Sequence, residues 1–217
     1  MKCLGNTYLT WRLGKGHRRH KVGIIRKNSA QGIRFRYLVS QEEATRIGFM
    51  PYTDFPDLSK EYSENVLEIF GQRLTKSERG DIQQYYDFWE IEPEYKEDKY
   101  YLLAHTQGLL ATDNFEFLAD YSPVKNISFI SEICGLSHYK ISSDTISEDD
   151  DLRWEYDRRN KYDNKAVKVF KKDTLLGYVK IVHSGIFYKN GGEKLKIKIK
   201  SIDSNGILNR VFIKVYT

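Results

Sequence analysis

EYDRRNKYDNKAVKV, residues 155–169, joins a polar turn to the start of a β-strand. Asn160 and Asp163 flank the turn, and side chains of both types hydrogen-bond to nearby backbone amides in such turns. The alternation that begins at Ala166 is typical of a strand. Tyr162 stands between the two turn-forming residues, so we expect one face of its ring to be exposed. An exposed aromatic face beside a carboxylate and lysines suits a nucleobase, because stacking contributes about 1–3 kcal/mol per base.

Two further segments flank this stretch, GLSHY at residues 135–139 and LGYV at residues 176–179. The three segments, in this order, resemble the HIRAN domain. Members of that family typically show a glycine–aromatic turn, an N-x-Y-D-x-N-A stretch that enters a strand, and a Leu-Gly-Tyr turn. The resemblance covers residues 127–217. It implies a small β-rich module that binds nucleic acid.

The resemblance also implies which residues contact single-stranded DNA. In the family, a terminal base lies between two aromatic rings and an aspartate contacts the 3′ hydroxyl, and these roles fall on Tyr162 and Asp163. The second ring position falls on His138, the position of a base-contacting arginine falls on Ser137, and the family's second asparagine is Lys165. Because serine cannot give the bidentate contact of arginine, general single-strand binding is a firmer expectation than 3′-end binding. The full predicted set is Tyr162, Asp163, His138, Ser137, Tyr139, Asn160 and Lys180.

Structural roles compete with some of these assignments. Asn160 is explained more readily as a turn former than as a ligand contact, whereas a functional role is favoured for Tyr162 and Asp163. The lysines at 196, 198 and 200 alternate with apolar residues and predict a strand with one lysine face. Together with Lys180, that face would suit phosphates. It is equally typical of a solvated strand surface.

The acidic segment SSDTISEDDD, residues 142–151, has the composition of a disordered linker. The resemblance places it inside the module, so we interpret it as a long internal loop. Its run of four acidic residues, 148–151, would repel phosphates beside a binding groove. No spaced ligand pattern predicts a metal site there, and a solvated loop is the interpretation adopted.

The sequence predicts an α+β protein of two domains, residues 1–122 and 127–217. A small sheet with helices is followed by a mostly-β, barrel-like module. Pro123 and Asn126 favour a turn between the two.

In the first domain we expect strands at 8–13, 21–26, 33–37 and 115–118, and helices at 58–74, from a capping box at 75–78 to 89, and at 96–107. In the second we expect strands at 127–134, 166–170, 175–180, 195–200 and 211–215, a helical turn within 181–188, and an Asn-Gly hairpin turn at 204–206.

The N-terminal half resembles the small N-terminal subdomain of HipA-type kinases, the toxins of bacterial toxin–antitoxin pairs. The resemblance spans most of residues 8–120. It implies a protein-interaction unit and no kinase activity, because the chain continues into the HIRAN-like module where the kinase body would follow. The segments that carry it are KVGI at 21–24, RFRY at 34–37, FGQRL at 70–74, SER at 77–79 and GLLATD at 108–113.

Composition and charge narrow the function classes. A net charge of +5 and a pI near 8.9 permit nucleic-acid binding without requiring it. Two distant cysteines, Cys3 and Cys134, predict neither a disulfide framework nor a zinc site, which favours a reducing, cytoplasmic compartment. No apolar signal-peptide core or membrane-length apolar run is present in the sequence, so we expect no membrane partner.

No complete catalytic motif is present in the sequence, and we expect no cofactor and no metal. GKG at 14–16 lacks the leading glycine and the Ser/Thr of a P-loop. His17 and His20 have no Cys or carboxylate partner nearby in sequence. Asp87, Glu94 and Lys96 resemble the carboxylate–lysine set of a nuclease, in which carboxylates would hold the metal. Because they lie between predicted helices rather than on a strand, a metal-dependent nuclease is the third hypothesis.

The leading hypothesis is a non-enzymatic protein that binds single-stranded DNA or DNA 3′ ends through residues 127–217. The alternative is a regulatory partner that binds a HipA-type kinase through the N-terminal half. The sequence leaves open the choice between DNA and RNA, and the oligomeric state.

Overall fold

The computed structural model describes residues 4–217, which form two compact units, residues 4–120 and Tyr121–Thr217. The first unit combines a five-stranded sheet with short helices, and the second is built on a closed six-stranded barrel. The chain is therefore an α+β protein, as the sequence predicts. No helix within residues 4–217 is both long and apolar enough to cross a membrane.

The described part of the first unit contains one five-stranded sheet and four α-helices. The strands are β1 (Leu4–Trp11), β2 (His20–Asn28), β3 (Gly32–Tyr37), β4 (Glu61–Tyr62) and β5 (Phe115–Tyr121), ordered β4-β3-β2-β1-β5. The helices are α1 (Gln41–Ile47), α2 (Val66–Gly71), α3 (Ile82–Trp89) and α4 (Lys99–Thr106).

Phe35 on β3 lies in the core of this unit and is fully buried. Its ring centroid is 4.8 Å from that of Tyr37, 5.2 Å from that of Phe55 and 5.1 Å from that of Phe70. Each such pair contributes about 0.5–1.5 kcal/mol beyond the burial of area. Gly23 makes room for this ring, since a Cβ atom there would lie 2.5 Å from it.

Two predicted helices begin later than the sequence pattern indicates. The helix expected at 58–74 is α2 alone, because Glu61 and Tyr62 pair with β3 as a short strand and Asn65 adopts a left-handed φ of 54°. The helix expected from 75 begins at Ile82, and the Thr75 hydroxyl contacts the Tyr85 side chain.

Helix α1 was missed. Its signal is the Ser40-x-x-Glu43 pattern followed by Gly48. The Ser40 hydroxyl accepts the Glu43 N–H at 3.1 Å, and Gly48 takes a left-handed φ of 74°.

The second unit closes six strands into a barrel. These strands are β6 (Ser128–Cys134), β7 (Asp151–Tyr156), β8 (Val167–Lys171), β9 (Thr174–Val179), β10 (Lys196–Asn205) and β11 (Ile207–Tyr216). Their order is β10-β11-β6-β9-β8-β7, and β7 returns to β10. A short helix α5 (Leu136–Tyr139) and 3₁₀ turns at Ser143–Thr145, His183–Tyr188 and Gly192–Lys194 connect them.

The period-two pattern of β10 and β11 fills the barrel as predicted. Ile197, Ile199, Val211, Ile213 and Val215 are all buried. The hairpin between these strands pairs Ile197 with Val215 and Ile199 with Ile213, on either side of the expected Asn-Gly turn. Strand β7 was not predicted, although its sequence DLRWEY alternates strictly between polar and apolar residues.

Val182 has an unusual backbone conformation, with φ 74° and ψ −57°. This is the geometry of a strained γ-turn, and a β-branched residue rarely adopts it. Val182 opens the His183–Tyr188 turn. On either side of it, Lys180 and His183 are buried and hydrogen-bonded or ion-paired, to Glu132 and to Ser131. These buried contacts hold the strained residue in place, since such strain persists only where the surroundings impose it.

Candidate nucleic-acid interface

The turn between β7 and β8 is organised by Asn160. Its Oδ1 atom accepts the backbone N–H groups of Tyr162 at 2.9 Å and Asp163 at 3.1 Å. The Asn160 N–H in turn donates to the Asp157 carbonyl at 3.0 Å. The Tyr162 side chain projects from this turn and is 69% exposed. The local hydrogen bonds therefore fix the backbone that presents the tyrosine, and Asn160 acts as a turn former.

All three segments singled out in the sequence contribute to one cluster around Asp157. Its Oδ2 atom accepts hydrogen bonds from the Tyr178 hydroxyl at 3.2 Å and from Asn160 Nδ2 at 3.1 Å. Tyr139 lies beside the same Tyr178 hydroxyl: burial, then Tyr139 and Asp157, raise the pKa of Tyr178 to about 12. Burial would raise the pKa of Asp157, but the Asn160 hydrogen bond and the charge of Lys168 hold it below its ordinary value. Asp157 is thus an ionised anchor that ties α5, the turn and β9 together.

Gly177 explains why the downstream segment contains a glycine. Its φ is 153°, and a Cβ atom there would lie 2.3 Å from the carbonyl oxygen of Cys134. Only glycine lets β9 approach β6 at this point. The approach brings Tyr178, the next residue, opposite Cys134 in the register.

The Asp163 carboxylate is held by two contacts. Oδ1 accepts the Lys165 N–H at 2.9 Å, and Oδ2 lies 3.4 Å from the Ser184 hydroxyl, which donates to it. Asp163 is half-buried, so its orientation is set while part of the carboxylate faces solvent. A carboxylate oxygen has spare lone pairs beyond these contacts and can accept a hydrogen bond from a ligand hydroxyl.

Ser137, His138 and Tyr139 all lie on the short helix α5 and are exposed. Leu136 is buried and anchors the helix to the barrel, while Gly135 begins it with a φ of 89°. Of the three exposed residues, Tyr139 is the one that the contacts around Tyr178 link to Asp157 and so to the turn.

The structure corrects the placement of Lys180. Its side chain is 2% exposed, and Nζ lies 2.8 Å from Glu132 Oε2. Arg210 approaches the same oxygen at 3.1 Å. Burial would raise the pKa of Glu132, but Lys180 and Arg210 lower it to about 2. Lys180 belongs to a buried ion cluster and therefore lies on no exposed phosphate-binding face.

Two residues of the acidic segment pair with lysines of the barrel. Asp149 Oδ1 lies 2.8 Å from Lys198 Nζ, and Asp150 Oδ1 lies 2.6 Å from Lys171 Nζ. The backbone also bonds to β10, through the Asp149 N–H to the Ile199 carbonyl at 3.1 Å and the Ile199 N–H to the Asp150 carbonyl at 2.9 Å. The segment is thus attached to the strand that carries the lysine face. Its negative charges offset part of the positive charge of the lysines.

Sequence reasoning missed three residues beside the turn. Tyr156 and Arg158 lie within the quoted stretch, and Tyr188 ends a 3₁₀ turn. The Tyr156 and Tyr188 ring centroids are 4.6 Å apart, and the Arg158 guanidinium lies 5.5 Å from the Tyr156 ring centroid. The Tyr–x–Arg spacing at 156–158 was the available signal. Nothing in the sequence indicates that Tyr188 returns to the same place.

Groups of three or more His, Cys, Asp or Glu side chains that could hold a metal ion are absent from residues 4–217. Cys134 forms no disulfide within residues 4–217, and Cys3 lies outside the described residues.

Fold and site together define a small closed β-barrel that presents an ordered polar turn with an exposed tyrosine and an oriented carboxylate. No known protein family and no curated protein matches the chain. Among solved structures, the crystal structure of the HIRAN domain of human HLTF is similar to it, with 17% identity and a TM-score of 0.33. That similarity covers 41% of this chain and 74% of the other. A score this low supports no further conclusion, and the HipA resemblance of residues 8–120 is shown by none of these comparisons and stays a prediction.

Proposed function

We propose that this protein binds single-stranded nucleic acid through the turn at residues 157–166, with preference for a DNA 3′ end. One observation carries the proposal: Asn160 fixes a turn that exposes the Tyr162 ring beside the oriented carboxylate of Asp163. A nucleobase stacks on the exposed ring, which is worth about 1–3 kcal/mol. The resemblance of residues 127–217 to HIRAN domains agrees with this role.

The Asp163 carboxylate supplies the preference for an end. It accepts a hydrogen bond from the terminal hydroxyl, a donor that an internal nucleotide of DNA lacks at that position. The Ser184 and Lys165 contacts keep the carboxylate in place before the ligand arrives. Such preorganisation lowers the entropic cost of binding.

The proposed role is binding without catalysis. The Ser184 hydroxyl contacts the carboxylate, but Ser184 is 1% exposed and its hydroxyl donates a hydrogen bond to Asp163. A substrate cannot reach it as a nucleophile. The chemistry available to a ligand at this turn is therefore stacking and hydrogen bonding.

The test is fluorescence anisotropy with short single-stranded DNA that carries a free or a phosphate-blocked 3′ end, at fixed ionic strength. Tyr162→Ala is expected to weaken binding by about 5- to 160-fold, as the loss of one stacked base implies. Tyr162→Phe keeps the ring and retains affinity. Asp163→Asn is expected to abolish the difference between free and blocked ends, whereas Asp173→Asn, an exposed turn position on the same unit, leaves it intact.

Equal affinity of wild type, Tyr162→Ala and Asp163→Asn for both oligonucleotides would show that the turn is not the binding site. Wild type that binds neither oligonucleotide would refute the proposal as a whole. A parallel RNA oligonucleotide decides which nucleic acid is preferred.

A further inference from the structure

Tyr156 and Tyr188 form an aromatic support for the guanidinium of Arg158 next to the turn. The Tyr156 hydroxyl donates to the Phe187 carbonyl at 2.8 Å, and the Tyr188 hydroxyl donates to the Ala166 carbonyl at 2.9 Å. Each ring is thus fixed at its far end. Trp154 packs edge-on against Tyr156, with ring centroids 5.2 Å apart. The two tyrosines are thus positioned by contacts within the protein.

Arg158 lies over this support. Its guanidinium is 5.5 Å from the Tyr156 ring centroid, within the range of a cation–π interaction. Tyr156 is 37% exposed and Arg158 is exposed. Within residues 4–217 the guanidinium of Arg158 has this aromatic neighbour and no carboxylate within salt-bridge distance. Its N–H donors therefore face solvent above the Tyr156 ring.

Tyr188 connects this support to the carboxylate of Asp163. Burial raises the pKa of Tyr188, Asp163 raises it further and Arg158 lowers it. Both charged groups therefore lie within electrostatic reach of one hydroxyl. The Asp163 carboxylate and the Arg158 guanidinium therefore both lie near Tyr188.

Asp163 can accept a hydrogen bond from a ligand hydroxyl, and Arg158 can donate to a ligand anion. Together they match the terminal hydroxyl and the phosphate of one nucleotide. We propose that Arg158 binds the phosphodiester that joins the terminal nucleotide to its neighbour, with Tyr156 and Tyr188 as its support. This inference rests on the proposed function and extends it from a terminal nucleoside to a dinucleotide end. Planar guanidinium groups pair with phosphate oxygens in a bidentate manner, so Arg158 is a specific contact and not a general attraction.

The experiment is a double-mutant cycle in which one change is made in the protein and the other in the DNA. A single-stranded DNA with a free 3′ end is compared with the same DNA in which the first internucleotide linkage is an uncharged methylphosphonate. Wild type is expected to bind the modified DNA about 10-fold more weakly, as the loss of a charge-assisted hydrogen bond implies. Arg158→Ala is expected to bind both DNAs equally, at the weaker level. Its plot of log K against log salt should be shallower than that of wild type by about 0.7.

Arg159→Ala is the matched control, because it removes the same charge from the next exposed residue. It should keep the full methylphosphonate penalty. Arg158→Lys keeps the charge but loses the planar fork and should recover the salt dependence without the full affinity. Tyr156→Leu removes the ring under Arg158 and is expected to weaken binding about 2- to 5-fold.

The two levels of the proposal fail in different ways. If wild type binds DNA in a manner that depends on Asp163, but Arg158→Ala suffers the same methylphosphonate penalty as wild type, the phosphate contact is wrong and the proposed function stands. If Arg159→Ala loses the penalty as Arg158→Ala does, the effect is general electrostatics and the assignment to Arg158 is overturned. Wild type that binds no single strand refutes both.

Discussion

Glu132→Gln removes the carboxylate that pairs with both Lys180 and Arg210 in a buried cluster. In the wild type, Glu132 lies 2.8 Å from Lys180 Nζ and 3.1 Å from Arg210 Nη2. The lysine side chain is 2% exposed, so it cannot recover its hydration when its partner becomes neutral. Breaking a buried pair by removing one partner costs about 3–5 kcal/mol.

The pKa of Glu132 gives a second measure of the same interaction. It is lowered from 4.5 to about 2. At about 1.4 kcal/mol per pH unit, this corresponds to roughly 3 kcal/mol of stability. Because the pKa is lower in the folded state, that stability is present above pH 4.5 and is lost as the pH falls towards 2. The wild-type barrel is therefore expected to weaken in this window, and Glu132→Gln should remove this part of the pH dependence.

Hydrogen exchange read by mass spectrometry is the suitable assay, because it reports separately on the two units. Peptides that cover β6 and β9 are expected to exchange more readily in Glu132→Gln, by a difference of about 3 kcal/mol in opening free energy. Glu155→Gln is the matched control. It breaks the Arg153–Glu155 pair, whose side chains are 47% and 53% exposed, and should cost less than about 1 kcal/mol. A cost below about 1 kcal/mol for Glu132→Gln would refute the burial argument for Lys180.

Two further predictions concern the second unit. The double variant Asp149→Asn/Asp150→Asn is expected to leave stability nearly unchanged, because these ion pairs lie near the surface and are screened by solvent. It should nevertheless raise the affinity for single-stranded DNA at low salt and steepen its salt dependence; unchanged affinity would mean that the lysines paired with these residues contact no nucleic acid. Val182→Gly is expected to stabilise the barrel by about 1 kcal/mol, because relief of strain worth about 1–3 kcal/mol exceeds the added flexibility of the unfolded chain. Thermal unfolding followed by the near-ultraviolet signal measures it, and a lower melting temperature would show that the packing of the Val182 side chain outweighs its strain.

The sequence was sufficient where one local pattern determines a structure. Residues in β10 and β11 alternate with a period of two, which only a strand satisfies. The alternation therefore predicted correctly which face of each strand is buried. Asn160 organises its own turn through contacts two and three residues away, so the turn was predictable from the residue types alone. The fold class followed from the same local patterns.

The sequence was insufficient where a distant partner determines the outcome. Lys180 continues a segment rich in apolar residues, and its partner Glu132 lies on another strand, so burial of the lysine had no local signal. Tyr62 leaves a helical pattern because it pairs with Phe35. Tyr188 reaches the turn only because the 3₁₀ segment after Val182 folds back across the barrel.

Closure of the barrel and presentation of the turn depend on the same strand. Strand β7 meets β10 through only Leu152 with Ile197 and Asp151 with Lys198 among the described residues, and its other end leads directly into the turn. Like the β6–β9 seam, which also has two paired positions, this short seam can open with few ladder bonds broken. A ligand that binds the turn only while β7 is paired with β10 binds the closed barrel alone. By mass action it shifts the equilibrium between the open and closed barrel towards the closed form. Binding at the turn is therefore coupled to the stability of the β7–β10 pairing.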